Sequence, residues 1–282
     1  MTLNNFIPQV WSANLLQNID EAHVYAQDSV VNRDYEGEIK GAGDTVKINS
    51  IGRVTISDYT KNVDHAGPET LTDSQKTLLI DQQKMFNFQV DDIDKAQQTP
   101  KVMAEAMRES AYGLARVTDL FLGGFHTGAA AGNLIANDTT PLSVTTAAAA
   151  YENLVDLGTL LDQQNAPAEG RSVRIPPWFY ALLLKDDRFV RNGVSTDVLH
   201  NAQVGEAAGF TVMKSNNVPA TTGAKYKIQA SVRQAISFAE QIVSVEGYRP
   251  EKRFGDAVKG LHVYGGKLIR PEFLAVLTAN RT

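Results

Sequence analysis

Apolar positions along this chain change period several times, and each change marks an element. After Pro8, the residues Trp11, Leu15, Ile19 and Ala22 follow a helical spacing, which predicts a short amphipathic arm. Its stripe is narrow, and a lone helix of that length is marginal in water, so the arm is expected to lie on another surface. Val46 and Ile48 then alternate with polar residues, as do Val54 and Ile56. The phase slips around Ser50 to Gly52, which predicts a bulge or bend. A polar stretch follows, with Gly67-Pro68 as its turn signal, and alternation resumes through Phe86, Phe88 and Val90. These segments predict one long two-stranded hairpin with a polar tip. Two strands alone are marginal in water, so such a hairpin needs a surface, and a neighbouring subunit is a natural one.

The period then becomes helical. Thr99 fits an N-cap, Pro100 the first helical position, and Gly123-Gly124 the stop. Met103, Met107, Leu114, Val117 and Phe121 form the stripe, Ser110 fills its gap, and Glu105, Arg108, Glu109, Arg116 and Asp119 carry the charge. The segment from Thr127 to Thr145 is small and polar and reads as a loop. A second helix is expected from Thr146 to Gln164, with Tyr151, Leu154, Val155, Gly158 and Leu161 on one face. SVRIPPWFYALLL predicts a short strand, a Pro-Pro helix start and a buried helix. A strand is expected from Phe210 to Lys214, then two or three from YKIQASVRQAISFAEQIVSVEGYR, and two more separated by Arg270-Pro271. Strands and helices are interspersed without a regular βαβ rhythm, which places the chain in the α+β class.

Composition narrows the function. With 43% apolar and 21% charged residues over 282 positions, the chain can bury one large core or two small ones, and disorder is not expected for most of it. A net charge of -5 disfavours nucleic-acid binding across the whole surface. The absence of cysteine excludes disulfides, thiolate nucleophiles and Cys-based metal sites. MTLNNFIPQVW has neither a basic start nor a long apolar run, so no signal peptide is expected, and no stretch reaches the ~20 apolar residues of a membrane helix. The expectation is a soluble protein.

Little points to catalysis. Asp91, Asp92 and Asp94 could hold Mg²⁺ or Ca²⁺, but no second acidic group stands at a recognised spacing, and a solvated junction explains them better. His23, His65, His126, His200 and His262 are isolated from one another in sequence, and no HExxH, Gly-x-Ser-x-Gly or phosphate loop occurs. No catalytic residue, cofactor or metal is therefore expected. One segment is locally basic: Arg249, Lys252, Arg253, Lys259, Lys267 and Arg270 stand against Glu246, Glu251 and Asp256. It reads either as a contact with acidic partners or an inter-subunit network, or as strands with charged exposed faces.

NFIPQVWSANLL, VVNRDYEGEIKGAGDTVKI and FNFQVDDIDKAQ resemble the coat proteins of tailed bacteriophages. So do VRIPPWFYALLLKDDRF, VGEAAGFTVMKSNNVP and AEQIVSVEGYRPEKRFGDAVKGLHVYGGKLIRPEFLAVLTA. The group resembled is the P22-type coat protein branch of the HK97-like fold, and the resemblance runs in order through the whole chain. It implies an α+β HK97-like capsid fold with an N-terminal arm (1–43) and an extended E-loop hairpin (44–92). The peripheral domain with its spine helix would take 93–140 and 246–271, and the axial domain 141–245 and 272–282.

The resemblance also implies a function. The chain would be a non-enzymatic major capsid protein that self-assembles, as hexamers and pentamers, into an icosahedral head around double-stranded DNA. It would be assembled in the host cytoplasm and reside in the virion. Its partners would be its own copies, a separate scaffolding protein, a portal and, through non-specific contact, the packaged DNA; no membrane is implied. Inter-subunit contacts are expected at Trp11, Leu15, Lys61, Arg249, Lys252, Arg253 and Lys259. Some relatives cross-link an E-loop lysine to an asparagine; Lys61 lies in the right region, with nothing in the sequence to show that chemistry.

Overall fold

The computed structural model describes residues 19, 23–35, 45–51, 56, 58, 61, 73–91, 101–186, 203–252 and 254–281. Along the chain run β1 (Thr45–Ile51), β2 (Asp73–Leu79), β3 (Gln82–Asp91) and the long helix α1 (Lys101–Gly123). Next come β4 (Leu134–Ile135), β5 (Leu142–Ser143), α2 (Ala147–Gln163), β6 (Arg171–Ile175) and α3 (Pro177–Leu183). The last part holds β7 (Gln203–Ala207), β8 (Phe210–Lys214), β9 (Ala220–Thr221), β10 (Lys225–Val232), β11 (Ile236–Tyr248), β12 (Gly255–Leu268) and β13 (Leu274–Asn280).

The larger sheet has the order β4-β13-β10-β6-β8-β7, with β5 on β13 and β9 on β10. Its central strand β6 is buried at every position, as befits a strand covered on both faces. α2 and α3 lay Leu154, Leu157, Leu161, Phe179 and Leu183 against Val173, Phe210, Ile228 and Leu277 of the sheet. Thr146 caps α2 by accepting the Ala149 N–H, and Pro177 sits in the first turn of α3, where a missing N–H costs nothing.

The smaller sheet is β11-β12-β3. Its β11–β12 hairpin is long and crosses three apolar clusters. Ile236, Phe238 and Tyr264 belong to the main core, Ala239 and Val263 to a second cluster, and Val245 and Val258 to a third beneath α1. The second cluster seats the root of the two-stranded β1–β2 sheet through Val46, Ile48 and Leu78.

Three expectations are corrected by strand pairing. The alternation through Phe86, Phe88 and Val90 does not return along the hairpin. It forms β3, which leaves to pair with β12, while β1 pairs with Asp73–Leu79, which straddles the end of the stretch read as polar. Alternation reports a half-buried strand but not its partner. The Thr127–Thr145 segment contains β4 and β5, each paired parallel to β13 near the far end of the chain. β11 begins at Ile236 within the smaller sheet, so 236–245 belongs with the strands that follow it rather than with the larger sheet.

The long helix is present, and its N-cap at Thr99 lies outside the described residues. Its buried face is rotated from the expected stripe. Ala111, Leu114, Ala115, Thr118, Asp119 and Leu122 are buried, whereas Val117 is exposed. The stripe read from large residues missed a line of small ones, Ala111 and Ala115, that admits close packing.

Two glycines separate the consequences of close and open packing. A Cβ on Gly265 of β12 would fall 2.3 Å from the Leu79 carbonyl oxygen and 2.8 Å from Ile80 Cα, both backbone atoms. On Gly113 of α1 it would meet nothing within 4 Å. Gly265→Ala is expected to destabilise dispersed subunits by about 1–3 kcal/mol in urea unfolding. Gly113→Ala should stabilise them by about 0.5–1 kcal/mol. Equal effects would contradict the close approach of β12 to the hairpin root.

Candidate functional site

A buried set of ionisable side chains joins the N-terminal segment, α1 and the β11–β12 hairpin. Asp119 reaches from α1 and Glu240 from β11, both buried. Neither carboxylate can stay ionised out of water without partners, and the chain supplies them. His23 lies between the two, with Nδ1 3.5 Å from Asp119 Oδ1 and Nε2 3.3 Å from Glu240 Oε2. His262 Nε2 lies 3.0 Å from the same Glu240 oxygen, and the Arg33 guanidinium donates to Glu240 Oε1. Asp119 also accepts the backbone N–H groups of Val24 at 3.1 Å and Tyr25 at 2.9 Å, and the Asn217 amide at 3.3 Å.

Burial opposes a charge on His23, but Asp119 and Glu240 outweigh it and raise its pKa from 6.5 to about 9. Burial likewise opposes ionisation of Glu240. His23, His262 and Arg33 overcome that and hold it well below the usual carboxylate range. Beside them Arg174, wholly buried, lies over the Tyr25 ring at 5.3 Å and donates to Ser231 Oγ at 2.7 Å and Ser172 Oγ at 3.1 Å. Burial lowers its pKa to about 10, which leaves it charged at neutral pH.

Chemically this is a clamp. Its charged groups are packed against one another, and none of them lines the cleft of about 810 Å³ or the pocket of about 320 Å³ found elsewhere on the molecule. It fixes residues 23–33 to α1 and to β11. Backbone bonds complete the attachment, from Asn32 N–H to the Ile236 carbonyl and from Phe238 N–H to the Asn32 carbonyl, each 2.9 Å. The sequence reading missed this site. The histidines are 239 positions apart, and Asp119 was grouped with the charged residues of the helix, whereas the structure buries it. The available signal was Asp119 following Ala111 and Ala115 at intervals of four, in phase with the small-residue line.

The residues expected at contacts are dispersed. Trp11, Leu15 and Arg253 lie outside the described residues, as do Asp92 and Asp94. Lys61 is an exposed turn residue between β1 and β2. Arg249 and Lys252 are exposed in the β11–β12 connection. Lys259 is exposed on β12, 3.0 Å from its cross-strand partner Glu246 and 5.4 Å from the centre of the Tyr248 ring. The structure thus brings the β11–β12 residues together and leaves Lys61 on a separate element. Among the described residues, no group of three His, Cys, Asp or Glu could hold a metal, and no helix is long and apolar enough to cross a membrane.

A family model described as phage capsid protein matches residues 75–277. Among solved structures, one from Mycobacterium phage Che8 is 27% identical with a TM-score of 0.71, covering 99% of both chains. The capsid of Ralstonia phage GP4 is 13% identical with a TM-score of 0.64, over 92% of this chain and 89% of that one. The holo-SrpI encapsulin complex from Synechococcus elongatus PCC 7942 is 17% identical with a TM-score of 0.56, over 85% and 83%. At such identities the last two likenesses are of fold. Comparison with curated proteins gives no match.

Breaking the clamp should cost far more than breaking a surface pair. Glu240→Gln is expected to lower the stability of dispersed subunits by about 3–5 kcal/mol. Lys259→Met should cost less than about 1 kcal/mol. Similar losses in urea titrations would refute the assigned ranking. The pH dependence has a definite sign. The folded pKa of His23 lies above its unfolded value, so its contribution is complete below pH 6.5 and is lost as pH rises through about 9. Thermal melts should fall across that window, by at most about 1.4 kcal/mol per pH unit. In His23→Gln that part of the slope should vanish.

Proposed function

The chain belongs to the phage capsid protein family, and from that premise we propose how its copies close into a head. It is a major capsid protein with the HK97-like fold, its place is the virion capsid, and it self-assembles into shells. The family's role is structural, and in our reading this chain catalyses no reaction. Hexamers and pentamers form an icosahedral shell around double-stranded DNA, assembled in the host cytoplasm. A separate scaffolding protein and a portal take part, and contact with the DNA is weak and non-specific, in keeping with a net charge of -5.

The observation that carries the interface reading is the hairpin. Its root is seated on the body through Val46, Ile48 and Leu78, yet Ile56, farther along, is 95% exposed. A large aliphatic side chain left bare beyond a well-seated root supports burial by another copy. In this layout residues 1–43 are the arm and the segment from β1 to β2 is the E-loop. α1 and the β11-β12-β3 sheet form the peripheral domain, and the larger sheet with α2 and α3 the axial domain. Trp11, Leu15, Lys61, Arg249, Lys252, Arg253 and Lys259 are proposed as contacts between copies. Each is weak alone, and their repetition over a closed shell supplies stability.

Electron microscopy of the purified chain, with and without its scaffolding protein, tests this reading. Closed shells are expected; a monodisperse monomer under every condition would overturn it. Nuclease-protected DNA inside shells from infected cells is the expected content, and protein cargo in its place would favour a compartment. Ile56→Asp should melt within about 0.5 kcal/mol of the parent chain while shell yield falls sharply. Unchanged yield would remove Ile56 from the interface.

A further inference from the structure

We propose that a pocket at one edge of the larger-sheet domain is an acid-accepting socket, and that its occupant is the Val155-Asp156 step of α2 on a second copy. The pocket, of about 320 Å³, lies between the chain preceding α2, the outer side of α3 and the end of β13. Val144, Trp178 and Leu182 form its apolar wall, and Lys185 and Arg281 supply two cations. Among the described residues, no Asp or Glu lines it. Lys185 and Arg281 form no ion pair among the described residues, and the buried Trp178 indole N–H finds no acceptor. A cavity of this size, with a hydrocarbon wall and two cations, is complementary to an apolar group carrying a carboxylate.

The same chain displays that chemistry on α2. Val155 is 44% exposed on its outer face, and Asp156 beside it is exposed and joined to no described cation. Among the described residues, the other large apolar side chains exposed on this part of the molecule are Leu134 and Leu184. Leu134 stands four residues before Asp138, which is already paired with Lys227 at 2.7 Å, and Leu184 stands next to Lys185 itself. Val155-Asp156 is thus the described point in the domain where an exposed aliphatic group adjoins an unengaged exposed carboxylate. Repeated in one sense from copy to copy, such a contact is heterologous, the type that closes rings. This inference rests on the shell-forming reading above and assigns one of its contacts.

Charge exchange tests it. Lys185→Glu and Asp156→Lys should each reduce shell yield by at least about tenfold, because each sets like charges face to face in an interface. The double variant Lys185→Glu with Asp156→Lys should recover most of the yield. Thermal melts of dispersed subunits separate folding from assembly, and Asp156→Lys, on an exposed helix face, is expected to melt as the parent does. If the parent forms shells and both single variants form them equally well, the socket is wrong while the capsid reading stands. Losses without recovery in the double variant would also overturn the pairing. A second measurement needs no assembly: N-acetyl-Val-Asp-amide at millimolar concentration should shift the Trp178 indole N–H resonance of dispersed subunits. An unmoved resonance would overturn the socket.

Discussion

Two carboxylates out of water set the terms for this fold. Asp119 and Glu240 sit on different elements, and each must find compensating charge or carry the cost of isolation. The chain resolves both with one histidine and then secures the arrangement with Arg33, His262 and two backbone N–H groups. The partners come from four separate stretches, so the clamp forms when the N-terminal segment, the long helix and the β11–β12 hairpin are all in place. Hydrophobic clusters hold these parts pairwise. The charged centre adds a requirement of position, since an ionic network loses far more than a greasy contact does when its geometry slips.

That constraint bears on function. A shell subunit has to present extended pieces to its neighbours while keeping a rigid body. Here the β11–β12 hairpin crosses all three apolar clusters and also carries Glu240 and His262. It ties the larger sheet, the long helix and the seat of the β1–β2 hairpin into one frame. The hairpin root is fixed on this frame at Gly265, where backbone meets backbone too closely for any side chain. Beyond the root Ile56 is bare. Rigidity at the root and exposure beyond it are the combination expected of an element that works on another molecule.

Much of the architecture was legible in the sequence. The long helix, the Thr146 cap, the Pro-Pro helix start and most of the later strands follow from period, caps and turn residues, because those signals are local. Pairing is not local. β3 alternates in the same way whether it returns along the hairpin or joins β12, and nothing within Gln82–Asp91 says which. β4 and β5 are too short to show a period and exist because β13 lies beside them. The family and its shell-building role were legible from the ordered resemblance of segments. The clamp was not, since His23, Asp119, Glu240 and His262 look like unrelated surface residues until the fold gathers them. The helix stripe misled for a related reason: the face that packs most closely is lined by alanine and aspartate.

The subunit is thus clamped within itself at His23, with Ile56 of its hairpin left bare for another copy. A high-resolution electron-microscopy reconstruction of the assembled shell tests it most directly. Every copy should show His23 between Asp119 and Glu240 of the same chain, while Ile56 is buried against a different chain. A shell in which Ile56 packs on its own subunit, or in which His23 leaves both carboxylates, would contradict the account.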